Sequence, residues 1–132
     1  MAKLYYGSDT APVTLPDRLL GYIKVITATK LRRGESFTLT WSGAEGESGR
    51  STIWLQPSIP LRFVFDSAEP EQLSGDYLRT LADQSNSATG LNVDVRSWES
   101  AEDAARTPAR TAPHTVSRGA ARPTAVRPVN AA

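Results

Sequence analysis

The chain of 132 residues has no cysteine and a single histidine. The lack of cysteine excludes disulfides, thiolate metal ligands and a thiol nucleophile. The histidine, His114, lies in a C-terminal stretch without aromatic residues, which excludes a Ser–His–Asp relay or a histidine-bound metal inside a folded core. We therefore expect no catalytic residue, no metal site and no cofactor.

Long apolar runs are also missing. No stretch approaches the roughly 18 apolar residues that a membrane-spanning helix needs. The first residues, "MAKLYYGSD", lack the apolar segment of a secretory signal. We expect a soluble, cytoplasmic protein with no membrane partner.

Aromatic residues are absent after Trp98, and all three tryptophans, four tyrosines and three phenylalanines lie at or before it. The remaining segment consists mainly of Ala, Arg, Thr, Pro, Ser and Val. Such a segment cannot bury enough apolar surface to offset an ordering entropy of roughly 1–2 kcal/mol per residue. The composition predicts a small globular domain over residues 1–98 and a disordered tail over residues 99–132.

The charge divides at the same place. Residues 1–98 carry ten basic and eleven acidic side chains, whereas residues 99–132 carry five arginines and three acids. All three of those acids precede Ala104, so the end of the chain is cationic. This pattern predicts either a solubilising tail or weak, salt-sensitive contact with nucleic acid.

The spacing of apolar residues predicts the element order β-β-α-β-β-β-α-β. Two short strands flank the turn residues "GSDTAP", and a helix begins at Pro16 and Asp17 and ends at Gly34. A second helix begins near Ser74. This order is typical of an α+β fold with a mainly antiparallel sheet.

The sequence in the middle of the domain predicts a three-stranded meander. Its strands are "SFTLTW", "RSTIWLQ" and "LRFVF", each with alternating apolar residues, and a last strand, "LNVDV", follows the second helix. The glycine-rich connection "SGAEGESG" lacks the Lys-Ser/Thr end of a phosphate-binding loop, and a strand follows it. We therefore interpret it as a connection between strands.

Three cations, Lys30, Arg32 and Arg33, precede the glycine that ends the first helix. Positive charge there is favoured by the helix dipole by about 0.3–1 kcal/mol each, which is a sufficient structural reason for their presence. A ligand-binding role is the alternative. With Arg50 and Arg62 on the neighbouring strands, the three would form a basic surface beside Trp54, suited to phosphates and to base stacking. The competing interpretation places the arginines in solvent and Trp54 in the core.

A family resemblance rests on four stretches: "KLYYGS", "DRLLGYIKVITATKLRRGESFTLTW", "GRSTIWLQPSIPLRFVF" and "LADQSNSATGLNVDV". Together they resemble a group of short actinobacterial proteins that form a domain of unknown function and are often labelled ATP-dependent DNA ligase. The resemblance covers roughly residues 1–96, and the tail lies outside it.

The ligase label implies a lysine nucleophile in a Lys-x-Asp-Gly motif. The three lysines, Lys3, Lys24 and Lys30, begin "KLYY", "KVIT" and "KLRR", and none matches that motif. The sequence therefore predicts a non-catalytic module that binds nucleic acid weakly through Lys30, Arg32, Arg33, Arg50 and Arg62. Two alternatives remain: a protein–protein interaction module that docks a partner or a second copy, and the ligase-related activity that the label implies.

Overall fold

The computed structural model of the chain describes residues 1–8 and 11–111, with side chains of the last helix described as far as Ala105. Its elements in chain order are β1 (Ala2–Tyr6), β2 (Val13–Leu15), α1 (Asp17–Arg32), β3 (Phe37–Ser42), β4 (Arg50–Leu55), β5 (Leu61–Val64), α2 (Gly75–Ser85), β6 (Leu91–Asp94) and α3 (Val95–Thr111). The α+β class and the order of the first eight elements are confirmed.

The strands form two three-stranded sheets. Sheet A has the order β2-β1-β5, and sheet B has the order β4-β3-β6. The expected meander of β3, β4 and β5 is wrong, because β5 pairs with β1, with Leu61 opposite Tyr6. Pro57 and Pro60 in the connection cannot donate to a ladder, and Gly7 N–H instead donates to the Pro60 carbonyl at 2.9 Å. The connection thereby leads the chain from β4 in sheet B into β5, which lies beside β1 in sheet A.

Pairing is mainly antiparallel, as the sequence predicts. The β1–β2, β1–β5 and β3–β4 pairs are antiparallel, and only β3–β6, among the described strands, is parallel. The residue before β6 is Gly90, whose φ is +73°. A Cβ at this position would lie 2.6 Å from the Thr38 carbonyl oxygen and closer still to the Thr38 hydroxyl. Glycine is therefore required where the chain enters β6.

Local signals determine the ends of α1. Asp17 in the first turn complements the helix dipole, and Gly34 follows the last turn with φ +75°. The helix buries one side, formed mainly by Leu19, Leu20, Tyr22, Ile23 and Ile26. These side chains join residues of both sheets, including Leu4, Leu39 and Leu91, in one hydrophobic core.

The N-terminal amine connects β1 to the first turn of α1. It donates to a carboxylate oxygen of Asp66 and lies 3.4 Å from Asp17 Oδ1. The Asp66 N–H in turn donates to Asp17 Oδ2 at 3.1 Å. The hydrogen bond that the Met1 amine donates to Asp66 raises the pKa of this amine above its usual value, and the hydrogen bond to Asp17 and the charges of both carboxylates act in the same direction.

The last helix, α3, was not predicted. It begins at Val95, and Asp94 Oδ1 accepts from Ser97 N–H at 3.2 Å as an N-cap acceptor. The Ala, Glu and Arg residues that follow have high helix propensity but little apolar surface, so composition alone indicated disorder. Residues 95–111 are helical, and the remainder of the predicted tail, with His114, lies outside the described residues.

Residues Met1–Trp98 form one compact unit. An aromatic cluster lies near its C-terminal end, where the ring of Tyr22 meets those of Tyr77 and Trp98 at centroid distances of 4.9 and 5.8 Å. The Tyr22 hydroxyl accepts from Ser74 N–H at 2.7 Å, which links α1 to the start of α2. Ser74 also caps α2 by accepting from Tyr77 N–H.

Replacement of Gly90 tests the close approach of β3 and the residue before β6. Gly90→Ala places a methyl group against Thr38 and strains a left-handed backbone, so we expect a loss of about 3 kcal/mol or more in the free energy of unfolding. Gly34→Ala is the matched control, since its φ is also positive but nothing lies within 4 Å of the added Cβ. It should cost only about 1–2 kcal/mol. Urea unfolding measures both, and equal losses would contradict the packing argument.

Candidate nucleic-acid interface

The outer face of sheet B is polar. Apolar side chains of β3 and β6 alternate inward, which leaves hydroxyl, amide and charged groups outward. The strand register arranges these outward groups in three rows: Trp54 with Thr38; Thr52, Thr40 and Asn92; and Arg50, Ser42 and Asp94. All of them are exposed or half-exposed. We call these eight residues the outer face.

Trp54 is the large aromatic residue of the outer face, and 56% of its surface is exposed. The interpretation that placed it in the core is therefore wrong. Its backbone is held, because the Tyr6 hydroxyl donates to the Trp54 carbonyl oxygen. In the adjacent row the hydroxyls of Thr40 and Thr52 are hydrogen-bonded at 2.7 Å. The indole thus stands on a well-supported strand with its ring in solvent.

Lys30 is a structural cation. It is only 7% exposed. Its Nζ donates to Asn86 Oδ1 at 2.6 Å and lies 3.4 Å from Glu35 Oε1 and 5.7 Å from the centre of the Phe37 ring. A buried charge requires such partners. These contacts join the end of α1 to the loop after α2, and they occupy the amine.

The other two cations of the helix end have different surroundings. Arg33 is 62% exposed and lies 3.8 Å from Glu35, so it remains open to solvent near Lys30. Arg32 is exposed, and at 100° per residue it lies about 200° around the helix from Lys30. The helix therefore separates Arg32 from the other two.

The strand arginines lie elsewhere again. Arg50 is opposite Ser42, five residues along β3 from Phe37, so it is about 17 Å from the strand end that Lys30 contacts. Arg62 lies on sheet A opposite Tyr5, with its guanidinium 5.4 Å from the centre of the Tyr5 ring. The structure brings Lys30 and Arg33 together and leaves the remaining three of the five predicted residues apart.

Arg96 is a cation that sequence reasoning missed. It lines the same open depression as Arg50, of about 580 Å³, at the Asp94 end of the outer face, and the carboxylates of Glu47 and Asp94 line it too. Within the described residues neither arginine has an ion-pair partner. The parallel register puts Asp94 beside Ser42, which is itself opposite Arg50. Only that register, which the sequence does not reveal, places Arg96 near Arg50.

A polar cleft of about 420 Å³ adjoins the other end of the outer face. Trp54 forms one wall, and the loop that contains Asn86 and Ser87 forms the opposite wall. Ser36 and Thr38 add hydroxyl groups. The outer face therefore offers an exposed indole beside hydrogen-bonding groups at one end, and at the other end Arg50 and Asp94 with Arg96 in the adjoining depression.

Two classes of site are not found in the described part of the chain. No group of three or more His, Cys, Asp or Glu side chains is arranged there to hold a metal ion. None of the helices described has the length and apolar character needed to cross a membrane.

The fold and this face define a small α+β domain of two three-stranded sheets with one polar sheet face open to solvent. Residues 1–96 match the family described as a domain of unknown function, DUF7882, and the chain belongs to that family. The match confirms the resemblance to a domain of unknown function and the range that it covers. Searches of curated proteins and of solved structures found no match. The actinobacterial range and the ligase label remain predictions.

A pair of substitutions separates the structural cation from an exposed one. Lys30→Ala removes the bond to Asn86 and the contact with Phe37, so we expect a loss of about 2 kcal/mol in the free energy of unfolding. Arg32→Ala, two residues away in the same charged segment, should change it by less than about 0.5 kcal/mol. Chemical denaturation measures both. A Lys30→Ala protein as stable as wild type would show that the amine is not structural.

Proposed function

We propose that the domain is a non-catalytic module that binds single-stranded nucleic acid across the outer face of sheet B. The exposed Trp54 carries the proposal. More than half of the Trp54 surface is in water, and the rest of the face consists of polar and charged side chains, so much of its apolar area is left unburied. A flat aromatic ring in this position is suited to stacking on a nucleobase.

The charge at the opposite end supports the same ligand. Arg50 lies four residues from Trp54 on β4, about 13 Å away along the strand. Arg50 and Arg96 lack ion-pair partners within the described residues, and guanidinium groups bind phosphate oxygens in bidentate geometry. A strand stacked on Trp54 would pass the hydroxyls of Thr40 and Thr52 and reach these arginines.

The refined interface differs from the one that sequence predicts. Arg50 belongs to it directly. Arg33 lies near the Trp54 end, because its ion-pair partner Glu35 lines the cleft that Trp54 also lines. Lys30 supports the cleft wall by holding Asn86. Arg32 and Arg62 face other surfaces and serve as comparison residues. The part of the cationic tail beyond residue 111, which the sequence associates with nucleic acid, lies outside the described residues.

Substitution of Trp54 tests the stacking role. Loss of one stacked base costs about 1–3 kcal/mol, so Trp54→Ala should weaken the binding of a short single-stranded oligonucleotide by about tenfold or more. Trp54→Phe, which keeps an aromatic face, should retain most of the affinity. Fluorescence anisotropy of labelled DNA and RNA decamers at low salt measures both. Equal affinity of Trp54→Ala and wild type would refute the proposal, as would the absence of binding.

The salt dependence of the same titration tests the phosphate contact. Each phosphate neutralised on a single strand contributes about −0.7 to the slope of log affinity against log salt. Arg50→Ala should therefore make the slope shallower by about that amount, and Arg62→Ala on sheet A should leave it unchanged. An equal change of slope in the two variants would show that the nucleic acid contacts positive charge in general and not Arg50 in particular.

A second candidate function is association with another protein, and the free edge of β4 favours it. The Trp54 carbonyl oxygen accepts from Tyr6 and so points away from β3. Backbone groups alternate along a strand, so those of Thr52 and Arg50 also point to this edge. Within the described residues no strand pairs there. An unpaired edge of this kind accepts a strand from a second copy or another protein.

Thr52→Pro tests the edge without breaking the β3 ladder, since the Thr52 N–H points outward. If this function holds, light scattering after size exclusion should show a wild-type dimer or partner complex that survives nuclease treatment, and Thr52→Pro should abolish it. A wild-type chain that is monomeric at all concentrations and captures no partner contradicts this function.

The third function, ligase-related activity, finds no support in the surroundings of the lysines. Lys30 is buried against Asn86 and Glu35, and Lys24 lies 5.7 Å from the centre of the Phe65 ring. Lys3 lies on β1 opposite Thr14 and Val64. None of them has the local sequence of an adenylated lysine.

A further inference from the structure

An apolar groove lies between α1 and α2, and it shares Lys30, Ser85 and Asn86 with the cleft beside Trp54. Its floor consists of Val25 and Ile26 of α1 and Leu78 and Ala82 of α2. Val25 and Thr29 on α1, and Leu78 and Ala82 on α2, are each four residues apart and so lie on one side of their helix, and the groove follows the line where these two sides meet. Gly75 at the start of α2 has no side chain to fill one end of it.

The rim of the groove is cationic. Lys30, Arg33 and Arg79 line it, and no acidic residue does so in the described structure. The carboxylates that pair with them approach from outside: Asp76 bonds Arg79 at 2.9 Å, and Glu35 lies 3.8 Å from Arg33. Both arginines are mostly exposed, at 70% and 62%, so these ion pairs are weak. The guanidinium groups remain available to an anion.

The size of the groove limits the ligand. Its volume of about 280 Å³ falls just below the roughly 300–1,000 Å³ of pockets for drug-sized molecules. An apolar floor with a positive rim suits a molecule with a hydrocarbon body and one anionic head. We propose that the α1–α2 groove binds a small monocarboxylate with an aliphatic body of medium length, whose head group contacts Arg33 and Arg79. This proposal does not rest on the nucleic-acid function.

A displacement assay tests the proposal with defined probes. Anilinonaphthalene sulfonate, which has an apolar body and one anionic group, should bind one site per chain with enhanced fluorescence. Octanoate should displace it at a concentration at least tenfold lower than octanol does, because octanol has the same body without the charge. Equal displacement by both would overturn the proposal, and so would the absence of displacement by octanoate.

Variants locate the site. Arg33→Ala combined with Arg79→Ala should weaken octanoate binding about tenfold or more, whereas Arg32→Ala, on the other side of α1, should not change it. Trp54→Ala should also leave it unchanged, which separates this groove from the outer face. Ala82→Phe should fill the floor and abolish binding of both probe and octanoate.

Circular dichroism establishes whether each variant is folded. If Ala82→Phe does not fold, the double arginine variant and the comparison with octanol decide the matter. Retention of full octanoate affinity by the double variant, or by a folded Ala82→Phe, would show that the groove is not the binding site.

Discussion

The backbone at Gly90 lies closer to Thr38 than any side chain would allow, and this contact positions much of what surrounds the outer face. It admits β6 beside β3 in parallel register, which completes sheet B. This placement of β6 also sets the loop before Gly90 across from Trp54, and the loop and Trp54 together line the cleft. At its other end β6 leads directly into α3 and brings Arg96 near Arg50. One glycine thus links both ends of the candidate interface.

The contacts of Lys30 show how the tertiary structure can give a charged side chain a structural role. In sequence, Lys30 stands with two arginines and suggests a basic patch. In the fold it is buried, and its amine is shared between Asn86 and Glu35. A buried amine needs such partners because desolvation is costly, and once satisfied it has little to offer a ligand. One of the five cations that the sequence suggested for ligand binding is therefore engaged in the structure instead.

The outer face and the α1–α2 groove differ in where their apolar and polar groups lie. On the outer face, hydroxyl and amide groups remain solvated, so only Trp54 has apolar area to gain by binding. In the groove, the apolar floor is recessed and the charges stand at its rim. The first arrangement favours an extended, stacked ligand, and the second a compact amphipathic one. The two surfaces can therefore serve different ligands on one small domain.

Local structure was largely predictable from sequence. Asp17 and Gly34 identified the ends of α1, Ser74 identified the start of α2, and alternation gave the inward residues of β3. Each signal depends on groups within a few residues, such as a cap, a dipole or a side-chain period. The α3 helix was missed although Asp94 caps it, because its composition suggests solvation more strongly than it suggests a helix.

Sequence alone thus determined the class of fold, the order of its first eight elements and the absence of cysteine chemistry. The tertiary structure decided that β5 joins β1, that β6 runs parallel to β3, that Trp54 faces solvent and that the five predicted cations do not form one surface. These outcomes depend on which distant surfaces gain most by packing together. That is a comparison of long-range contact free energies, which no short stretch of residues encodes.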